Sequence, residues 1–360
     1  MSFTLPLYHG PDFAQAQLKN APNAEFRPAP MDGVAPEGYH ATSIFPEYFK
    51  VNGTWLLAEE SRMDCVPVLR EGKIAVVEFR NLKAGEPVVV GRTEDGSQGI
   101  YVHANGFEEE KGEQDTFSFR QGRSRETAYS MDYDSIYELL RHEKDHGRIL
   151  WVMGPACAFD HDARDAFAAL VRGGYVHGLL AGNALATHDL EACFFITALG
   201  QDIYTQRSMP NGHYNHIDTI NAVRLAGSTA AFVRSGKVKD GIIYECVNHD
   251  VPFVLVGSVR DDGPLPEVYG NVYEGQDAMR ALVKEATTVI CMASTLHTVA
   301  TGNMTPSYRL VNGVVRPVYF YSVDVSEFAV NKLRDRGSLS VRTIVTNVQD
   351  FVVNVRKGVL

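Results

Sequence analysis

From residue 148 of this 360-residue chain onward, short near-continuous apolar runs alternate with stretches whose apolar residues recur every three or four positions. The runs are Arg148-Ile149-Leu150-Trp151-Val152-Met153 and residues 175–180, 241–247, 253–257, 288–292 and 317–323. A strand without polar alternation is buried on both faces, and strands that alternate with helices form a parallel sheet covered on both sides. Helical periodicity fills the gaps. Residues 162–172 read as one helix, and from His216 onward Ile217, Ile220, Val223, Ala226, Ala230 and Val233 keep the period up to a stop at Gly236. The pattern predicts a Rossmann-like α/β domain over residues 126–360.

The first part of the chain has a different texture. Residues 1–40 carry Pro6, Pro11, Pro22, Pro28, Pro30 and Pro36 with little periodicity, and read as an extended arm or a partly disordered leader. From residue 41 to about 125, Thr54-Trp55-Leu56-Leu57, Val66-Pro67-Val68-Leu69, residues 74–79 and Pro87-Val88-Val89-Val90 are β-type runs. Gly53, Gly72, Gly85 and Gly91 punctuate them, which predicts a small, mostly antiparallel β-domain. Residues 106–128 are polar and charged and read as a linker or an exposed excursion.

Several function classes are disfavoured. The formal net charge is −10 and no basic stripe is present, so the chain does not look like a nucleic-acid binder. No eighteen apolar residues run together, and the N-terminus lacks the pattern of a secretory signal, so neither a membrane span nor export is expected. The five cysteines, Cys65, Cys157, Cys193, Cys246 and Cys291, are scattered with no C-x-x-C pair. That is cytoplasmic usage, without disulfide framework or zinc knuckle.

In doubly wound sheets, ligands sit beyond the carboxyl ends of the strands. The residues that follow each run here are small and polar: Gly154-Pro155-Ala156, Gly182-Asn183-Ala184, Gly257-Ser258, Ser294-Thr295-Leu296-His297 and Asp324. Backbone amides that can approach phosphates and a carboxylate for ribose hydroxyls suit a dinucleotide, although no G-x-G-x-x-G fingerprint is present. Asp324 is the sharpest ribose candidate. His213 and His216 stand where a helix begins; they read as proton shuttles, as a cap and a loop partner, or as metal ligands, with no nearby residue to complete a metal set. Glu245 interrupts an apolar run, so it either faces a site or pairs with a basic residue. Cys65 and Trp151 read as core.

Long motifs in fixed order carry a resemblance: Asn52-Gly53-Thr54-Trp55, Met63-Asp64-Cys65, Gly154-Pro155-Ala156, Ala181-Gly182-Asn183-Ala184-Leu185-Ala186, Arg260-Asp261-Asp262-Gly263-Pro264-Leu265-Pro266, Gln276-Asp277-Ala278-Met279 and Gly302-Asn303-Met304. In these the chain resembles the archaeal-type ornithine cyclodeaminase family over about residues 38–360. This is the LOR/SDH bifunctional enzyme domain, also found at the C-terminus of arginine dihydrolase/ornithine cyclodeaminase proteins. The resemblance implies a deoxyhypusine-synthase-like NAD-binding fold behind a β-rich subdomain. It implies NAD at Asn183, Ala184, Asp262, Ser294, Thr295, Leu296, His297, Asp324, Asn347 and Val348.

The departures are Phe159, with His161 nearby, where the family usually has a histidine; the added Val311-Asn312-Gly313-Val314; and Asn347 in place of an aspartate. No arginine-dihydrolase stretch is present in these residues. The implied reaction is cyclodeamination of ornithine to proline, with Glu245 or His216 as base and Arg260 holding the carboxylate. Alternatives are an NAD-dependent reaction on lysine or an opine-type imine, or a non-catalytic NAD-binding sensor. The expected partners are an amino-acid substrate and further copies of the chain, as a dimer or tetramer, with no metal.

Overall fold

The computed structural model describes residues 3–107, 130–261, 263–325 and 340–360. After a short helix α1 (Ala16–Lys19), the first region contains β1 (Glu25–Pro28), β2 (Glu47–Val51), β3 (Thr54–Leu57), β4 (Cys65–Arg70), β5 (Lys73–Glu78), β6 (Pro87–Val90) and β7 (Ile100–Val102). They pair antiparallel as β1-β6-β4-β5 and β3-β2-β7. Side chains alternate along β4: Cys65 packs with Phe49, Ile74, Val89 and Ile100, whereas Val66 and Val68 pack with Val77, Leu82 and Val88. Both faces are therefore buried. Residues 25–28, part of the proline-rich stretch, are tied to the sheet by pairing with β6.

The second region runs α2 (Ser130–His146), β8 (Ile149–Met153), α3 (His161–Arg172), β9 (Gly178–Gly182), α4 (Asn183–Phe195), β10 (Thr197–Ala198), β11 (Gln201–Asp202), α5 (His213–Ala226), α6 (Thr229–Arg234) and α7 (Ile242–Asn248). It continues with β12 (Phe253–Val256), α8 (Val272–Val283), β13 (Thr288–Met292), α9 (Thr295–Met304), β14 (Tyr308–Val311), β15 (Val314–Pro317), β16 (Tyr319–Asp324), β17 (Ser340–Val345) and α10 (Val348–Val359). Six strands form one parallel sheet in the order β12-β9-β8-β13-β16-β17. Numbered from β8, this is the doubly wound order 3-2-1-4-5-6. Ile149, Trp151 and Met153 point into one core and Leu150 and Val152 into the other. That split explains why the strand sequences show no polar alternation.

Two expectations need correction. Residues 241–247 form no strand: Ile242, Ile243, Cys246 and Val247 are buried along one side of α7. The buried carboxylate of Asp189 accepts hydrogen bonds from the Ile242 and Ile243 amides at 2.9 and 2.7 Å, fixing the helix start. A seven-residue apolar run has no period that distinguishes the two forms. The helix expected from His216 to Gly236 is also broken. Gly227 takes a left-handed φ of 84° at the end of α5, and the Ser228 side chain caps α6 through the Ala231 amide.

The added residues 311–314 make the turn of the β14–β15 hairpin, with Asn312 and Gly313 both at positive φ as a two-residue hairpin turn requires. This hairpin joins the two regions. Arg309 bridges to Glu60, and the Tyr308 hydroxyl donates to the Ala58 carbonyl at 2.6 Å. Beside it, the buried Arg280 of α8 meets Glu78 at 2.6 Å and Glu60 at 3.0 Å. Asp262 and residues 108–128 lie outside the described residues, as do the side-chain surroundings of Leu296.

Candidate active site

The strand order reverses between β8 and β13, and a doubly wound sheet opens at that point for a ligand. Gly154 follows β8 and Ala293 follows β13; their backbones touch so closely that a Cβ on Gly154 would stand 1.9 Å from the Ala293 carbonyl oxygen. On either side of β8, α4 and α9 start with no side-chain cap: Gly182 has none to offer, and Ser294 makes no such bond. By contrast, Asn347 caps α10 by accepting from the Gln349 amide at 2.8 Å. Uncapped first-turn amides at a helix N-terminus suit phosphate. Thr295 is exposed, and His297, whose pKa burial lowers, lies within 3.3 Å of where a Gly182 Cβ would be. The fold therefore fits a dinucleotide without the usual glycine fingerprint.

A cleft of about 580 Å³ adjoins this edge. Its lining includes Asn183 and Ala184 at the start of α4, His188 one turn further on, and Phe159 after β8. The opposite wall is α5, with His216, Ile217, Ile220, Asn221 and Arg224, and the loop after β12 adds Ser258, Arg260 and Asp261. The buried Asn183 side chain accepts the Leu265 amide at 3.0 Å, tying that loop to α4.

At one part of the cleft, two imidazoles share one carboxylate. Glu191 is fully buried, and its Oε1 accepts from the Thr197 hydroxyl at 2.8 Å and the Gly200 amide at 2.9 Å. Its Oε2 accepts from His188 Nδ1 and the Leu199 amide, both at 3.1 Å. Burial alone would raise the Glu191 pKa, but the bonds from His188, Gly200 and Thr197 outweigh it and hold the group below its ordinary value. The His216 ring lies 4.8 Å from the His188 ring, tilted by 32°, with its buried Nδ1 unpaired and 3.9 Å from Oε2. Burial, reinforced by His188, lowers the His216 pKa against the opposing pull of Glu191 and Asp261. The three groups are close enough to hold a metal ion. Both oxygens of Glu191, however, already accept two hydrogen bonds each, which organises the cluster round protons.

Of the catalytic candidates singled out in the sequence, His216 and Arg260 line the cleft; His188, Glu191 and Arg224 were not singled out. The available signal was a histidine, an aspartate and a glutamate within four residues of α4, a helix that is buried nearly all round. Glu245 does not line the cleft. It lies on α7, where Arg172 binds it at 2.6 Å and His249 at 3.2 Å, the basic pairing that the sequence left open. His213 is exposed at the start of α5. Asp324 ends β16 beside Val345, Asn347 caps the next helix, and Val348 is buried in the core. Cys65 and Trp151 are fully buried, and burial pushes the Cys65 thiol up to about 11.

A doubly wound sheet split between two uncapped helix starts, with a small-molecule cleft alongside, marks an enzyme of the dinucleotide-dependent Rossmann class. The comparisons narrow the class. Residues 135–355 match the Rossmann-fold part of the ArgZ-like arginine dihydrolase C-terminal region, and residues 46–128 match its first part. An ornithine cyclodeaminase of Methanopyrus kandleri is 39% identical over 333 residues, spanning 92% of this chain and 77% of the relative. The crystal structure of a conserved LOR/SDH protein from Methanococcus maripaludis superposes with TM-score 0.84 at 34% identity, covering 94% of this chain and 98% of the other. The ternary complex of AgrE with ornithine and NAD superposes with TM-score 0.60 at 31% identity, over 94% of this chain and 46% of that one. The chain belongs to the family of archaeal ornithine cyclodeaminases and ArgZ-like C-terminal regions.

Proposed function

We propose that this protein is an NAD-dependent ornithine cyclodeaminase, converting L-ornithine to L-proline and ammonia. The observation that carries the reading, beside family membership, is the cleft in which two guanidinium groups and two imidazoles over a buried carboxylate adjoin the start of α4. The uncapped starts of α4 and α9 would hold the NAD pyrophosphate through Asn183, Ala184, Ser294 and Thr295, with His297 beside them and Asp324 for a ribose. When bound, NAD supplies a reversible two-electron oxidation at the substrate carbon that bears the amine.

The residues of the chain do the rest. Arg260 and Arg224 take the substrate carboxylate, a role that two exposed cations from different elements can share. Phe159, Leu199, Ile217 and Ile220 give the methylene chain an apolar wall and reduce water near the reacting carbon. A bent substrate brings its terminal amine to that carbon, and such preorganisation can lower the barrier by about 7–11 kcal/mol. His216 accepts the amine proton, since its lowered pKa leaves it neutral near pH 7. A lysine substrate is the second reading, because the Phe159 ring, 5.1 Å from His188, helps set the room for the chain.

The five free cysteines suit a cytoplasmic setting. Exposed Tyr214 and Leu225 on α5 support a homo-oligomer, a dimer or tetramer, which light scattering would measure. The reaction is tested with ornithine deuterated at its α-carbon. Proline that retains the deuterium at that carbon is expected. Proline carrying solvent hydrogen there instead would refute internal return.

A further inference from the structure

Ring closure needs two proton transfers. The neutral terminal amine must shed one proton as its bond to the oxidised carbon forms, and the departing nitrogen must gain one to leave as ammonia. We propose that His188 is a second proton carrier in this reaction and that Glu191 is a positioning residue serving both His188 and His216. The proposal rests on the cyclodeaminase reading above.

The geometry is specific. His188 Nδ1 is fixed on Glu191 Oε2, which leaves its Nε2 as the nitrogen for the cleft. His216 stands on the facing helix with a buried Nδ1 that has no partner, 3.9 Å from the same oxygen. One buried carboxylate accommodates one imidazolium readily and two poorly. The site therefore starts with the proton on His188 and His216 neutral, and ends with these states exchanged. The bond from the terminal nitrogen to the oxidised carbon forms as that nitrogen gives one proton to His216. The bond to the original amine breaks as that nitrogen takes one proton from His188, and ammonia leaves with the bonding electron pair. The positive charge moves between rings 4.8 Å apart and never leaves Glu191. No net charge has to be desolvated during the step. Among the described residues, the other charged groups facing the pair are Asp261 and Arg260 on the loop after β12 and Arg224 on α5, and none of them moves a proton in this scheme.

Two measurements test it. The first is an NMR titration of selectively labelled histidines, which needs no substrate and so stands apart from the cyclodeaminase reading. Glu191→Gln should lower the midpoints of His188 and His216 by about one pH unit or more. His188→Asn keeps a donor for Glu191 but removes the competing charge, so the His216 midpoint should rise. The second is the pH–rate profile with ornithine. Glu191→Gln should move the acidic limb of kcat/KM to lower pH and reduce kcat about 10²–10³-fold with little change in KM. Glu191→Asp should recover part of the loss. A Glu191→Gln protein whose histidine midpoints stay in place, or whose only change is a lower melting temperature, would overturn the proposal. If that variant does not fold, a His188→Asn protein with an unmoved His216 midpoint would overturn it.

Discussion

Gly154→Ala is the sharpest probe of how the sheet opens for its cofactor. The new methyl group would stand 1.9 Å from the carbonyl oxygen of Ala293. That is short of ordinary van der Waals contact by about 1.5 Å, and a backbone oxygen cannot rotate away. The loops after β8 and β13 must separate, and inserting a methylene into a packed site costs about 1–3 kcal/mol. At about 2–4 °C per kcal/mol for a domain of this size, the melting temperature should fall by about 2–12 °C. The same displacement moves the start of α9, so NAD affinity should fall about tenfold or more, equivalent to about 1.4 kcal/mol. Gly270→Ala is the control, since a Cβ there meets nothing within 4 Å. Thermal unfolding and NAD titration by calorimetry would be run on both variants and the parent. A Gly154→Ala protein that melts within about 1 °C of the parent and binds NAD equally well would refute the packing argument.

Other perturbations give separate readings. Arg224→Ala and Arg260→Ala should each raise KM for ornithine about tenfold or more while changing kcat less, and equal loss in both constants would argue against carboxylate binding. Arg280→Ala removes one of two cations from each carboxylate, leaving Glu78 with Arg62 and Glu60 with Lys284, and should destabilise the protein by about 1–3 kcal/mol in a denaturant titration. His177 Nδ1 accepts the Ile149 amide at 2.9 Å and so must be neutral there; burial and then Arg148 lower its pKa. The unfolded chain therefore binds more protons below about pH 6.5, and stability should fall as pH drops from there through the folded-state pKa. His177→Asn should flatten that part of the pH–stability curve, and an unchanged slope would count against His177 as its source.

The sheet was legible because strands buried on both faces leave uninterrupted apolar runs, and Thr288–Met292 emerged with both ends correct. The strand ends also pointed to one ligand-binding edge. The 241–247 segment was not legible: its helical start depends on Asp189, more than fifty residues earlier in the chain. The proton network was hidden for a similar reason. His216 carried a visible signal, but His188 and Glu191 sit on the far wall of the cleft, and only the packing of α4 against α5 makes them its neighbours. Arg224 carried no signal in the sequence, and it shares the cleft with the loop after β12 only through the fold. Glu245 drew attention as a charge in an apolar run, and its partner Arg172 comes from a separate helix.

The central claim is tested most directly by incubating purified protein with L-ornithine, with and without added NAD, and following proline, ammonia and NADH together. Proline and ammonia released in equal amounts, with no accumulation of NADH, is the predicted result. No proline from a protein that demonstrably binds NAD would contradict the account.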